Sequence, residues 1–227
     1  MSEALKAQKS EPSAAKPGKP ITHVLMTVDD SASMHGLAQA TISGFNEYID
    51  SLRKDKGSKY RVTTAIFGTE YHLLSNASKL SAMPRLDNRN YHAKQGGTAL
   101  LDAVGRMIVD FERETELGPE DKVLLVVQTD GQENSSHRFT TEQISKMIEE
   151  REGTGRWQAV FLGAGPSAWQ QGRSLGFRDH NVIQTANTAA GTRSSYAGMT
   201  ASTRSYSKGA TPEAVAAALR TEVEKGA

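Results

Sequence analysis

Five side chains that end in oxygen stand out in this 227-residue chain for what they can hold together. Asp29, Ser31 and Ser33 alternate within Asp29-Asp30-Ser31-Ala32-Ser33, so their side chains can turn toward one point. Asp130 lies in Thr129-Asp130-Gly131, and Thr98 closes the run Gln95-Gly96-Gly97-Thr98. The chain has no cysteine, and no histidine falls at any of these positions. Oxygen donors without sulfur or imidazole suit a hard divalent cation: Mg2+ first, with Mn2+ or Ca2+ as alternatives, rather than zinc. Two neighbouring carboxylates repel, and a cation offsets that repulsion. Without one, at least one aspartate should hold protons more readily than usual.

These residues need a scaffold that brings them to one place. Val24–Val28 and Val123–Val127 are short, continuous apolar runs, as expected of strands buried on both faces of a parallel sheet. The first ends at Asp29 and the second at Thr129-Asp130-Gly131. Neighbouring parallel strands put their carboxyl ends on the same edge, where open α/β sheets bind ligands near the switch in strand order. The two acidic loops should therefore meet, with Thr98 supplying a hydroxyl from the start of a helix.

The remaining pattern supplies the rest of such a sheet. Leu37, Ile42, Phe45, Ile49 and Leu52 have helical spacing over 34–54, as do Leu101, Val104, Ile108 and Phe111 over 98–115. Residues 59–67 read as a strand, and Gly68-Thr69 turns into Tyr71–Leu74, an antiparallel hairpin partner at a sheet edge. Residues 75–97 read as irregular. A helix over 140–151, a strand over 157–162, a helix to about Leu175 and a short strand at Val182–Gln184 follow. Alternation of this kind predicts a doubly wound α/β sheet with helices on both faces. Residues 1–20, rich in Lys, Ala, Ser and Pro, read as a disordered tail. Residues 186–227 read as a C-terminal helical extension packing on the domain, its last helix capped by Thr211 with Pro212 at the first position.

The D-x-S-x-S run after a buried strand, G-G-T before a helix and T-D-G after another strand together resemble the von Willebrand factor A (VWA) domain family over residues 21–185. The resemblance implies a mostly parallel six-stranded sheet with one antiparallel edge strand, VWA/Rossmann-like. It implies a metal-ion-dependent adhesion site (MIDAS) in which Ser31, Ser33 and Thr98 are hydroxyl ligands. Asp29 and Asp130 would bind directly or through water. It further implies that a partner protein fills an open metal position with an Asp or Glu, beside a rim formed by His35, Gly97, Gly131 and Glu133. Intracellular members of the family place such a chain beside a MoxR-type AAA+ ATPase system, or in a phage or host assembly. That setting would make the protein cytoplasmic, or virion-associated if phage-encoded.

Other chemistries fit less well. Aspartates at a strand end also serve phosphoryl transfer, but the later strand ends in Gly163-Ala164-Gly165-Pro166, without the lysine that balances phosphate charge. A serine hydrolase would use Ser31 or Ser33 with His35, His92 or His137 as base, but no G-x-S-x-G elbow is present. The sequence reads as a binding module rather than an enzyme, with a metal-dependent phosphoryl-transfer or hydrolytic activity as the alternative. The net charge of +1 gives no bulk attraction to nucleic acid. No apolar run approaches the roughly 20 residues of a membrane-spanning helix.

Overall fold

The computed structural model of the chain describes residues 19–93, 96–165 and 167–226. The tail reading therefore falls outside the described residues, except at Lys19 and Pro20. Gln95 and Pro166 also fall outside. Among the described residues six strands form one sheet, in the order β3-β2-β1-β4-β5-β6. The strands are β1 (Ile21–Asp29), β2 (Lys59–Phe67), β3 (Tyr71–Lys79), β4 (Lys122–Thr129), β5 (Trp157–Ala164) and β6 (Val182–Thr185). Helix α1 (Ala38–Lys54) follows β1, α2 (Leu100–Glu114) follows β3, α3 (Thr141–Glu152) follows β4 and α4 (Ala168–Ser174) follows β5. The chain ends in α5 (Ala189–Ser207) and α6 (Pro212–Glu224).

All strand pairs are parallel except β2 with β3, the antiparallel edge. This is the α/β, VWA/Rossmann-like sheet expected from the sequence. Its order reverses between β1 and β4, which lie side by side with Val28 opposite Gln128. Asp29 and Asp130 therefore leave the sheet from adjacent strands at the switch point.

The alternating faces of β1 explain its continuous apolar run. Val24, Met26 and Val28 join one core, shared with Phe45, Ile49 and Leu52 of α1. Leu25 joins the other, built with Val104, Ile108 and Phe111 of α2 and Ile144 and Ile148 of α3. Tyr196, Met199, Val215, Leu219 and Val223, from α5 and α6, belong to the first core. Helix α5 approaches α1 so closely that a Cβ on Gly44 would lie 2.3 Å from the Tyr196 ring. Tyr48 and Thr203 share a hydrogen bond across the same contact. Helices α5 and α6 thus bury one side of the sheet rather than decorate it.

Three boundaries differ from the sequence reading. Strand β3 continues to Lys79 instead of ending at Leu74. From Leu74 onward it is irregular, with register shifts opposite Val62–Ala65 and Ala77 at φ 40°. These shifts break the period-two alternation by which a strand is recognised. A 3-10 turn over Ala32–Leu37 precedes α1, and α2 begins at Leu100, beyond Thr98.

Candidate metal centre

Three loops meet at the carboxyl edge of β1 and β4. Asp29, the last residue of β1, is completely buried. Its Oδ1 accepts the Ser31 amide at 2.8 Å, which folds the loop back. Its Oδ2 accepts the hydroxyl of Thr129, the last residue of β4. Ser31 and Ser33 have their hydroxyls 3.0 Å apart, and Ser33 Oγ donates to Asp130 Oδ1 at 2.6 Å. The alternation in the first loop thus delivers both serines to the second.

Thr98 completes the set. A Cβ built on Gly131 would lie 2.7 Å from Thr98 Oγ1, 3.4 Å from Ser33 Oγ and 3.6 Å from Asp29 Oδ2. Oxygens from the other two loops therefore lie around the bare Cα of Gly131. All five sequence-predicted ligand residues are in this cluster. Among the described residues no three His, Cys, Asp or Glu side chains gather into a metal site. A cation here would depend on hydroxyls as much as on the two carboxylates.

The electrostatics fit a cation. Burial raises the Asp29 carboxyl to about 6 against hydrogen bonds from Thr129 and Ser31, and the charge of Asp130 adds to the rise. Burial also raises Asp130 above the usual carboxylate range, opposed by the Ser33 hydrogen bond. Asp130 Oδ2 is buried with no hydrogen-bond partner. An unpaired buried carboxylate oxygen is costly unless a proton, a water or a cation meets it. The donor set, the unpaired oxygen and the small residue in their midst suit a hard divalent ion.

A second ring of residues holds the loops, and local pattern carries little signal for it. Tyr91 donates its hydroxyl to the Asp29 carbonyl at 2.7 Å. Asp30 turns away from the cluster: its Oδ1 takes the amides of His92 and Ala93. The Thr98 segment is pinned to the β2–β3 turn by the Gly97 amide on Thr69 Oγ1 and the Ala99 amide on the Gly68 carbonyl, both at 2.9 Å. Asn134 fastens the same segment to the Asp130 loop. A hydroxyl immediately before Asp130 was the one readable hint, since Thr129 follows the apolar run of its strand.

The rim residues have mixed placements. His35 is exposed in the turn beyond Ser33, and Gly131 lies within the oxygen cluster. Gly97 abuts Asn134 and Ser135: an added Cβ would lie 1.8 Å from Ser135 Oγ. The carboxylate of Glu133 points into the protein. It accepts the amides of Leu101, Ser135 and Ser136 and the Ser136 hydroxyl, at 2.8–2.9 Å. The unpaired amides at the start of α2 draw it in. Glu133 is thus a brace between the loops and not a free acidic group on the rim. Among the described residues no histidine hydrogen-bonds to Ser31 or Ser33, and both hydroxyls are engaged within the cluster.

No protein-family profile matches the chain, and no curated protein matches it. Solved structures do. Proximal thread matrix protein 1 from the mussel byssus superimposes with a TM-score of 0.59 at 13% identity, over 78% of this chain and 46% of that one. The same protein with a zinc-occupied MIDAS motif gives a TM-score of 0.58 at 13% identity, over 77% and 46%. The chain therefore spans a little under half the length of these neighbours. At such identity the likeness establishes a shared VWA-like fold.

Proposed function

We propose that the protein is a metal-dependent binding module that engages an acidic side chain of a partner protein. The observation that carries this reading is Asp130 Oδ2, buried and unpaired within a cluster of oxygens from three loops. Asp29, Ser31, Ser33, Thr98 and Asp130 would hold the ion. A divalent cation there supplies positive charge and leaves room for an outside carboxylate, since five side chains do not all bind directly. The chain's own residues do the positioning. Thr129 and the Ser31 amide orient Asp29, Ser33 orients Asp130, and the Gly131 Cα leaves the space between them open. Mg2+ is the first choice from donor hardness. Zinc in the MIDAS of the mussel protein keeps the choice among divalent cations a matter for titration. The partner is a protein presenting Asp or Glu, in a MoxR-type ATPase system or a phage or host assembly. Among the described residues no helix is long and apolar enough to cross a membrane.

The test is calorimetric titration of chelator-stripped protein with Mg2+, Mn2+ and Zn2+, alongside Thr98→Ala and Asp130→Ala. One-site binding that both variants lose supports the reading. Equal affinity in all three proteins overturns the site. For the partner, pull-downs with Mg2+ and with chelator should differ, and wild type should differ from Thr98→Ala.

A further inference from the structure

At the end of β1 away from the metal centre, His23 is buried without a partner. Its side chain is 6% exposed, and neither ring nitrogen makes a hydrogen bond. Phe111 of α2 meets the ring edge-on, with the centroids 5.3 Å apart. A neutral imidazole has one donor and one acceptor, and burying both unmet is costly. The facing carboxylate is Asp121, whose Oδ2 lies 3.7 Å from His23 Nε2. That separation is too long for a hydrogen bond and short enough for an ion pair.

Asp121 is already engaged. Its Oδ1 accepts the amide of Ile21, the first residue of β1, at 2.7 Å, and its Oδ2 accepts the Gly118 amide at 2.9 Å. The Asp121 amide returns to the Gly118 carbonyl at 3.2 Å. Arg156 donates to the carbonyls of both Gly118 and Asp121. The Gly118–Asp121 turn is thus a clasp that ties the start of β1 to the start of β4.

Three charged groups face the imidazole: Asp121 before β4, Arg61 opposite it on β2 and Arg156 before β5. From α2 it meets the uncharged Phe111. Burial holds the imidazole below its ordinary 6.5; Asp121 opposes this, while Arg61 and Arg156 reinforce it. Any form that exposes the ring therefore binds the proton more tightly than the closed form does. The closed form is favoured above 6.5 and loses ground as pH falls below it. Protonation also makes both ring nitrogens donors, and the near acceptor, Asp121 Oδ2, already holds Gly118.

We propose that His23 and Asp121 form an acid-sensitive latch at the amino edge of the sheet: a charged His23 competes with Gly118 and Ile21 for Asp121 and opens the Gly118–Asp121 turn. The latch is independent of the metal-dependent reading above, since it lies at the other end of β1.

Hydrogen exchange read by NMR on the full chain tests it, with wild type, His23→Leu and His23→Gln compared from pH 7 to pH 5. Protection of the Ile21 and Gly118 amides, corrected for the intrinsic pH dependence of exchange, should fall about ten-fold in wild type, the amount that a one-unit difference in proton affinity supplies. It should stay level in both variants. The remaining histidines and Asp29 are common to the three proteins and cancel in the comparison. Level protection in wild type, or an equal fall in the variants, overturns the latch. An equal fall at Leu125, in the middle of β4, signals global unfolding and overturns it too. The carbon-bound ring protons of His23 give a check that needs no variant: titration at or above the ordinary histidine range overturns the proposal even if neither variant folds.

Discussion

Asn134 grips Thr98 through both of its backbone groups, accepting the Thr98 amide on Oδ1 at 2.8 Å and donating its own amide to the Thr98 carbonyl at 3.1 Å. The Thr98 and Asp130 loops are thereby fixed to each other. Residues that orient metal ligands commonly change affinity by about 10–100-fold when removed. Asn134→Ala should weaken divalent-ion binding by at least about ten-fold, because the Thr98 hydroxyl loses its fixed position. Asn134→Asp, which keeps the acceptor, should bind better than Asn134→Ala. Calorimetry on the three proteins decides it; equal affinities would show that Thr98 is positioned without Asn134.

The raised carboxyl of Asp29 makes pH a second test. Its folded value, about 6, lies above the ordinary 3.8, so the metal-free folded state binds the proton more tightly than the unfolded chain does. Between those two values the Asp29 contribution to stability grows as pH falls and shrinks as pH rises. A cation competes with the same proton. Divalent-ion affinity should therefore fall steeply as pH drops from 7 to 5, with proton uptake on metal release. Titrations in buffers of different ionisation enthalpy measure that uptake, and a pH-independent affinity with no proton exchange would sink the assignment.

Gly131 and Gly36 form a matched pair. A Cβ at Gly131 intrudes on Thr98 Oγ1 at 2.7 Å, whereas one at Gly36 meets nothing within 4 Å. Gly131→Ala should cost the protein most of its metal affinity with its fold retained, and Gly36→Ala should leave affinity unchanged. Circular dichroism checks the fold and calorimetry the metal. Unaltered binding by Gly131→Ala would mean that the ion sits elsewhere.

Gly44→Ala tests the other end of the construction. The added methyl would meet the buried Tyr196 ring, which has no room to retreat between α1 and α5. Overpacking of this kind typically costs about 1–3 kcal/mol. Urea unfolding should show the loss. Removing residues 186–227 should yield insoluble or molten protein, because Tyr196, Met199 and Leu219 complete the core on that face. A stable, monomeric truncation would show instead that the sheet can do without them.

Residue type and order alone determined the two buried strands, the helices between them and which five oxygen-bearing residues were expected to meet. A strand buried on both faces must be apolar throughout, so Val24–Val28 and Val123–Val127 announce themselves, and the polar residues that end them are conspicuous. Oxygen donors in an alternating run constrain the chemistry before any fold is known. Tertiary structure decided what those residues do to one another. It buried Asp29 and gave it Thr129 as a partner, left Asp130 Oδ2 unpaired, and turned Glu133 inward to α2. Each outcome depends on distances between segments far apart in the chain, 97 residues for Ser33 and Asp130. Local pattern cannot encode such distances, because the side-chain type is the same whether a carboxylate faces solvent or three backbone amides. The far half of β3 was hidden for a related reason: its bulges are set by pairing with β2, and they erase the alternation that would have revealed the strand.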